Sequence, residues 1–402
     1  MLINDPIHGL LRLTDLQRQL IALPELARLS WIKQLGLSFQ SFPGGTHSRL
    51  CHVIGASHVA GEMARALGLP DKETTLLQAA GMLHDVGHTP FSHALETLLP
   101  GDHMHYTRDL VTGAAVMKLP GAGQLPRVLE RHGVDPVQVG ALIEGKHRER
   151  VLQSIIFGDV DCDQLDYLLR DSYFCGISHG KIDHYRILYT LKVDRDRQEV
   201  VIEEKGVDAI EEMLVARDHM YSAVYGHKTG RIGEMMLLRA MQLAERPVEG
   251  FQEMTDHEVL TRLEDAGELS RVLIRRVIFR DLYKSAFRVD SAGRDDMASR
   301  VMRLVEKKSA RELETEIIRG AGLGAGDVIV DLPVNVFKLS EPRLKSFNLR
   351  VLRKTGETVP LLSLSALARA LTQKESTHTI FATYCDTSHR ERVAAVCEKL
   401  MA

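Results

Sequence analysis

Three stretches decide how this chain reads: HSRLCHVIGASH at 47–58, GMLHDVGHTPFSHALE at 81–96 and FGDVDCDQLDYLLRD at 157–171. Each sets a polar side chain on the apolar face of a helix. His52 shares its side with Ala56, Val59, Ala60 and Met63, offsets that bring residues round to one face, so it points inward. His84 aligns with Leu76, Leu77 and Ala80, and Asp85 follows it at the helix end. In the third stretch Asp163, Tyr167 and Asp171 form a stripe opposite Leu165, Leu168 and Leu169, so that helix faces a polar pocket.

Burying an ionised carboxylate beside an imidazole is costly unless a cation compensates it. Imidazole nitrogens with carboxylate oxygens are the donor set of a divalent metal such as Mn, Fe, Co or Zn. A lone inward histidine is more often a hydrogen-bonded core residue, and a His-Asp pair alone carries little information. An inward histidine, a His-Asp pair and a later inward aspartate on successive helices carry more. His52, His84, Asp85 and Asp163 are therefore the expected metal ligands.

Further reactive groups lie beside them. His88 follows the His84-Asp85 pair by one turn, Pro90 breaks the helix, His93 and Glu96 share the next turn, and His105 comes soon after. Such histidines donate protons to a leaving oxygen or bind phosphate, and their bland alternative is hydrogen bonding to the ligands. His93 is the expected general acid. Arg49, one turn before His52, either holds an oxyanion beside the metal or is a surface arginine. Arg217, Tyr221 and Tyr225 repeat at i, i+4 and i+8 and read as a second pocket wall.

The rest of the 402 residues is ordinary in composition, with 44% apolar and 26% charged. Lys and Arg number 51 against 54 Asp and Glu, a formal charge of −3, which excludes a generally cationic nucleic-acid binder. The start, Met1-Leu2-Ile3-Asn4, has no basic segment leading into an apolar one, and no window approaches a membrane span, so a cytoplasmic protein without membrane contact is expected. Five scattered cysteines without CxxC spacing indicate neither a disulfide framework nor a thiolate zinc site.

The fold class predicted is mainly α, a helical core with a small α/β C-terminal appendage. Apolar spacing of three and four predicts helices over 16–34, 49–67, 72–85, 151–172, 207–245 and 257–276. Ile3–Arg12 reads as a turn with extended arms, and Leu191–Gly206 as a β-hairpin. Beyond about residue 290 come a charged helix at 296–319, strands at 328–332, 347–352 and 378–384, and helices at 363–371 and 389–401. The expected division is a catalytic domain at 1–290 and an α/β region at 291–402.

With NDPIHG at 4–9, IKQLG at 32–36, FPGGTHSRLCH at 42–52, HDVGHTPFSH at 84–93, DVDCDQLDYLLRD at 159–171 and Tyr225-Gly226-His227-Lys228, the chain resembles the HD-domain deoxynucleoside triphosphate triphosphohydrolases over roughly residues 1–290. The resemblance implies an HD-domain core in which His52, His84, Asp85 and Asp163 hold the metal. It places His88, His93, Glu96 and His105 around the reacting phosphate and Arg49 and Arg217 on phosphates. Gln34 with Leu35, Gln164, Tyr167, Asp171, Tyr221 and Tyr225 would line the rest of the substrate site, with Tyr225 at the sugar edge where a 2′-hydroxyl would collide.

The implied substrate is a deoxynucleoside triphosphate, with Mg carried on the triphosphate as a second ion and a homo-oligomer, dimer or tetramer, as the assembly. Gln164 stands where a related enzyme has a phosphate-contacting lysine. Ala22, Ala27 and Ser30 stand where a related enzyme reads an activating guanine nucleotide, so a nucleotide activator would need other contacts, such as the basic run Arg271, Arg275, Arg276, Arg280, Lys284 and Arg288. Two rival readings are another HD-type phosphohydrolase, acting on a monophosphate, cyclic nucleotide or alarmone, and a non-catalytic nucleotide sensor or single-stranded nucleic-acid binder.

Overall fold

In the computed structural model, which describes residues 1–99, 101–290, 296–332, 347–373 and 379–401, the chain divides into two compact units. The first comprises Met1–His227, Gly250–Glu258 and Phe347–Leu371. The second comprises Lys228–Glu249 and the described residues of Val259–Ser346 and Thr372–Ala402. The architecture is mainly α with small sheets.

The first unit is built around helix Arg49–Ala66. Ser48 starts it: its backbone is extended and its hydroxyl accepts the Cys51 N–H. The inward face carries Val53, Ala56, Val59, Ala60 and Met63, all essentially without solvent contact. Helices Asp71–Leu83 and Cys162–Cys175 pack against it. Small residues set these approaches: a Cβ at Gly81 would lie 3.1 Å from the Ala56 carbonyl oxygen. Strands β1 (Leu2–Asp5) and β2 (Gly9–Arg12) form an antiparallel hairpin at the N-terminus.

Several stretches predicted as single helices are interrupted, each for a local reason. Pro24 lacks the N–H needed to continue a helix, so 16–34 becomes Asp15–Ile21, Pro24–Ala27 and a 3₁₀ turn at Arg28–Trp31. The 151–172 segment splits into Arg150–Ile156 and Cys162–Cys175, because the Asp161 side chain accepts the Gln164 N–H and starts a new helix. Helix Val207–Met220 passes into a π turn at Tyr221–Tyr225 before helix Lys228–Gln242 begins. Gly267, at φ 142°, separates Asp256–Glu264 from Glu268–Ile278.

The predicted hairpin is present as β3 (Leu191–Asp194) and β4 (Glu199–Glu203), with Leu191 opposite Ile202. It recruits distant chain: β7 (Arg350–Leu352) pairs parallel to β4, and β8 (Thr358–Pro360) pairs antiparallel to β7. The second unit has its own antiparallel sheet, β5 (Lys284–Asp290), β9 (Thr379–Cys385) and β6 (Val328–Asp331), in the order β5-β9-β6. Val301, Leu313, Ile317, Phe381, Val393 and Cys397 form its core. Thus β5 and β7 each lie in the unit opposite to the one a single division after residue 290 would give them. The charged helix expected at 296–319 is two helices, Asp296–Val305 and Ala310–Ala321, the second begun by a Ser309 and Glu312 capping box. His378, expected at the start of a strand, lies outside the described residues.

All five cysteines are free. Among the described residues no helix is long and apolar enough to cross a membrane.

Candidate active site

His52 comes from the middle of helix Arg49–Ala66, His84 caps the C-terminal end of Asp71–Leu83, Asp85 follows it, and Asp163 lies in the first turn of Cys162–Cys175. The structure brings the four together. Nε2 of His52 lies 3.3 Å from Nε2 of His84 and 3.1 Å from an oxygen of Asp163. The other separations are 3.4 Å for His84 to Asp85, 3.7 Å for His84 to Asp163 and 4.0 Å for His52 to Asp85.

The far nitrogens of the two imidazoles fix what the near ones can do. Nδ1 of His84 faces the Gly81 carbonyl oxygen at 2.9 Å, and Nδ1 of His52 faces Asp166 at 2.8 Å. Neither acceptor carries a proton to give, so both Nδ1 atoms donate, and in neutral rings both Nε2 lone pairs point into the same small space. Two lone pairs and two carboxylates cannot face one another without a cation. The spacings are near the ~3–3.5 Å expected between ligand atoms around an ion bound at about 2.0–2.2 Å. The donor set therefore fits a divalent metal.

With no cation bound, the same acidic surroundings draw a proton to the imidazole instead. Burial works against a charged His52, yet its hydrogen bonds to Asp163 and Asp166 push its pKa up to about 10. Burial likewise opposes the Asp85 carboxylate, but His84 and Arg49 hold its pKa well below the usual range. Arg49 is 3% exposed and ion-paired to Asp85, not a surface arginine.

Beside this cluster His88, buried, sits with Nε2 3.3 Å from Asp85, and its ring stacks on His103 with centroids 3.8 Å apart. Burial and the neighbouring Arg49 push the His88 pKa well below the ordinary value, so it is neutral. Glu96 binds Nδ1 of His93 at 2.7 Å through one oxygen and Nδ1 of His103 at 2.6 Å through the other. The ligand-capable atoms of His88, His93 and His103 all lie within 4.8 Å of one another.

The turn presenting His93 is strained: Phe91 and Ser92 both take positive φ, 56° and 57°. It is held from three sides. The Thr89 hydroxyl donates to the Ser92 carbonyl at 2.6 Å, the Ser92 hydroxyl reaches the Lys33 and Gln34 carbonyls at 3.1 Å, and Asp256 accepts the Phe91 N–H at 2.8 Å.

The remaining expected residues form a wall nearby. Gln164, 1% exposed, donates to the Gly158 carbonyl and to Asp161, both at 3.1 Å, and accepts from Arg217 at 3.4 Å. Arg217 also lies over the Tyr221 ring. Asp171 accepts from the Tyr225 hydroxyl at 2.7 Å and from Nε2 of His47 at 2.8 Å, and the Tyr167 and Tyr225 rings meet edge to face. Gln34 hydrogen-bonds through its backbone to His47, and Leu35 lies beside Gly45.

His105 is not brought into this group. Its side chain is 60% exposed and pairs with Glu144 and Asp109. His103 takes the inward place that the sequence reading gave to His105. The signal was helical phase: with Asp102 as N-cap, His103 shares its face with Thr107, fully buried and bonded to the Gly87 N–H, whereas His105 shares its face with Asp109. His47, Asp166 and Asp256 were also missed as site residues. Ala22, Ala27 and Ser30 are exposed and uncharged.

Residues 49–171 match the HD domain and residues 182–402 match the HD associated region. The chain belongs to the HD-domain phosphohydrolase family, with the HD associated region making up its C-terminal half. An uncharacterized protein of Methanocaldococcus jannaschii is 29% identical over 383 residues, covering 93% of this chain and 76% of that protein. The deoxynucleoside triphosphate triphosphohydrolase SAMHD1 homolog of Dictyostelium discoideum is 29% identical over 317 residues, 70% of this chain. The chain spans only 59% of that relative's length. The crystal structure of a phosphohydrolase from Bacteroides thetaiotaomicron superposes with a TM-score of 0.72 at 26% identity, covering 96% of this chain and 99% of that one. An HD domain implies a divalent metal, consistent with the donor set described above.

Proposed function

We propose that the protein hydrolyses deoxynucleoside 5′-triphosphates at the α-phosphorus, giving the deoxynucleoside and inorganic triphosphate. The observation that carries this reading is the convergence of His52, His84, Asp85 and Asp163 beside a Glu96-linked histidine group. Those four residues would hold a divalent cation, which when bound would supply Lewis acidity toward a phosphoryl oxygen and lower the pKa of the attacking water.

The chain's own residues do the rest. His93, fixed through Nδ1 by Glu96, presents Nε2 as the general acid that protonates the departing 5′-oxygen. His103 shares the same carboxylate, and neutral His88 offers a hydrogen bond rather than a charge. Arg217, held by the Gln164 amide, binds a phosphate oxygen, while Arg49 sits on Asp85 at the metal cluster. Asp171 accepts a sugar hydroxyl with its remaining lone pairs, and the Tyr225 ring closes the sugar edge against a 2′-hydroxyl.

The test is incubation with each dNTP and NTP in the presence of Mn, Co, Fe or Zn, with and without Mg, followed by chromatographic product identification. Tripolyphosphate and free deoxynucleoside are expected, with loss of at least about a hundredfold in Asp163→Ala. Release of monophosphate, or turnover of cyclic nucleotides alone, would replace this reading with another phosphohydrolase reaction. Absence of turnover with retained nucleotide binding would make the protein a sensor.

A further inference from the structure

Asp166, beside the metal cluster, accepts four hydrogen bonds. It is fully buried. One oxygen receives Nε2 of His8 at 2.7 Å and Nη2 of Arg170 at 2.8 Å; the other receives Nδ1 of His52 at 2.8 Å and Nε of Arg170 at 2.7 Å. Four donors fill the four acceptor positions of an ionised carboxylate, so its plane and both rings bound to it are fixed.

The network continues to the chain's first turn. Arg170, also fully buried, gives Nη1 to Asp5 at 2.9 Å. The other Asp5 oxygen accepts the N–H groups of Ile7 and His8, both at 2.9 Å, an Asx turn that aims the His8 side chain. A continuous set of buried hydrogen bonds therefore runs from the hairpin between β1 and β2, through Arg170 and Asp166, to His52.

We infer that the Asp5–His8 turn, acting through Asp166, is a positioning device for the metal ligand His52: it holds the Nδ1–H tautomer and turns Nε2 toward His84 and Asp163. This rests on the metal-ligand reading of His52, His84, Asp85 and Asp163. The physical reason is that a metal binds only the unprotonated nitrogen of a ring already pointed at it, and an acceptor fixed on the opposite nitrogen secures both conditions. His8 matters because, beside the Arg170 fork from Asp166's own helix, it is the donor that ties the carboxylate to the N-terminal hairpin.

The test measures metal binding directly, with apo-protein titrated with Co(II) and read by the visible d–d spectrum and by calorimetry. His8→Leu removes the donor and should weaken Co(II) binding by about 10-fold or more and change the spectrum. His8→Gln carries an amide nitrogen at nearly the position of Nε2 and should restore most of both. Asp166→Asn should lose about 10–100-fold. Melting of each apo variant separates a general loss of folding, which Gln would not rescue selectively, from loss of the site.

If the wild type binds no Co(II), or Asp163→Ala binds it unimpaired, the metal-ligand reading itself fails. If those two behave as expected yet His8→Leu binds with wild-type affinity and spectrum, the positioning role is overturned. Equal losses in His8→Leu and His8→Gln would overturn it as well.

Discussion

At the scale of single residues the site depends on what is missing at position 55. A Cβ on Gly55 would lie 1.9 Å from an oxygen of Asp166 and 2.3 Å from Nη2 of Arg170. Neither atom can retreat, because each is held in the buried pair that orients His52. Gly55→Ala is therefore expected to lose roughly 1–3 kcal/mol or more through overpacking, despite alanine's better helix propensity, and to weaken metal binding at the same time. Gly61, in the same helix, provides the control. Its nearest neighbours would be atoms of the flexible Gln78 side chain, the amide nitrogen at 2.5 Å and Cγ at 3.2 Å, which can swing aside, so Gly61→Ala should cost far less than Gly55→Ala and be near neutral. Urea denaturation of the two variants side by side checks the contrast. The inward aim of His52 was legible in its spacing from Ala56, Val59 and Met63. The need for glycine at 55 was not, since a lone glycine inside a helical pattern does not say which neighbour comes close.

At the scale of elements, the helices were legible and their ends were not. Periodicity runs straight through Asp161 and Gly267, because buried apolar residues occur on both sides of each break. His105 was placed in the site by its nearness in sequence and by the family resemblance; that His103 faces inward instead follows from helical phase, which can be assigned only once Asp102 is known as the N-cap. The element that most needs support is the strained turn before His93, and part of that support comes from residue 256, far along the chain. Asp256 accepts N–H groups of both Phe91 and Lys33. Asp256→Ala leaves both donors without that acceptor and should let the turn relax, displacing His93 but none of the four metal-binding residues. Turnover is expected to fall about tenfold or more while metal affinity changes little. Steady-state kinetics paired with metal titration would expose the opposite pattern if the turn instead acts through the metal.

At the scale of the whole molecule, local periodicity identified the α-rich body and the strands near the C-terminus, but not which sheet each strand joins. Pairing of β7 with β4 across some 150 residues, and of β5 with β9, is decided by tertiary packing that no local pattern records. One consequence is that every expected metal-binding residue lies in the first unit, brought there by the neighbouring helices Arg49–Ala66 and Asp71–Leu83 and by the later helix Cys162–Cys175. Unfolding that unit disperses them, so metal must favour its folded form by mass action. At a free metal concentration of a hundred times Kd the gain is about 2.7 kcal/mol, which for a unit of this size corresponds to a rise in melting temperature of roughly 5–10 °C. Calorimetry of protein stripped by chelator and then reconstituted should show that rise. Asp163→Ala should show almost none, because it removes a carboxylate from the cluster while leaving the packed helices in place. A melting temperature indifferent to metal in the wild type would mean that the four side chains hold no tightly bound ion.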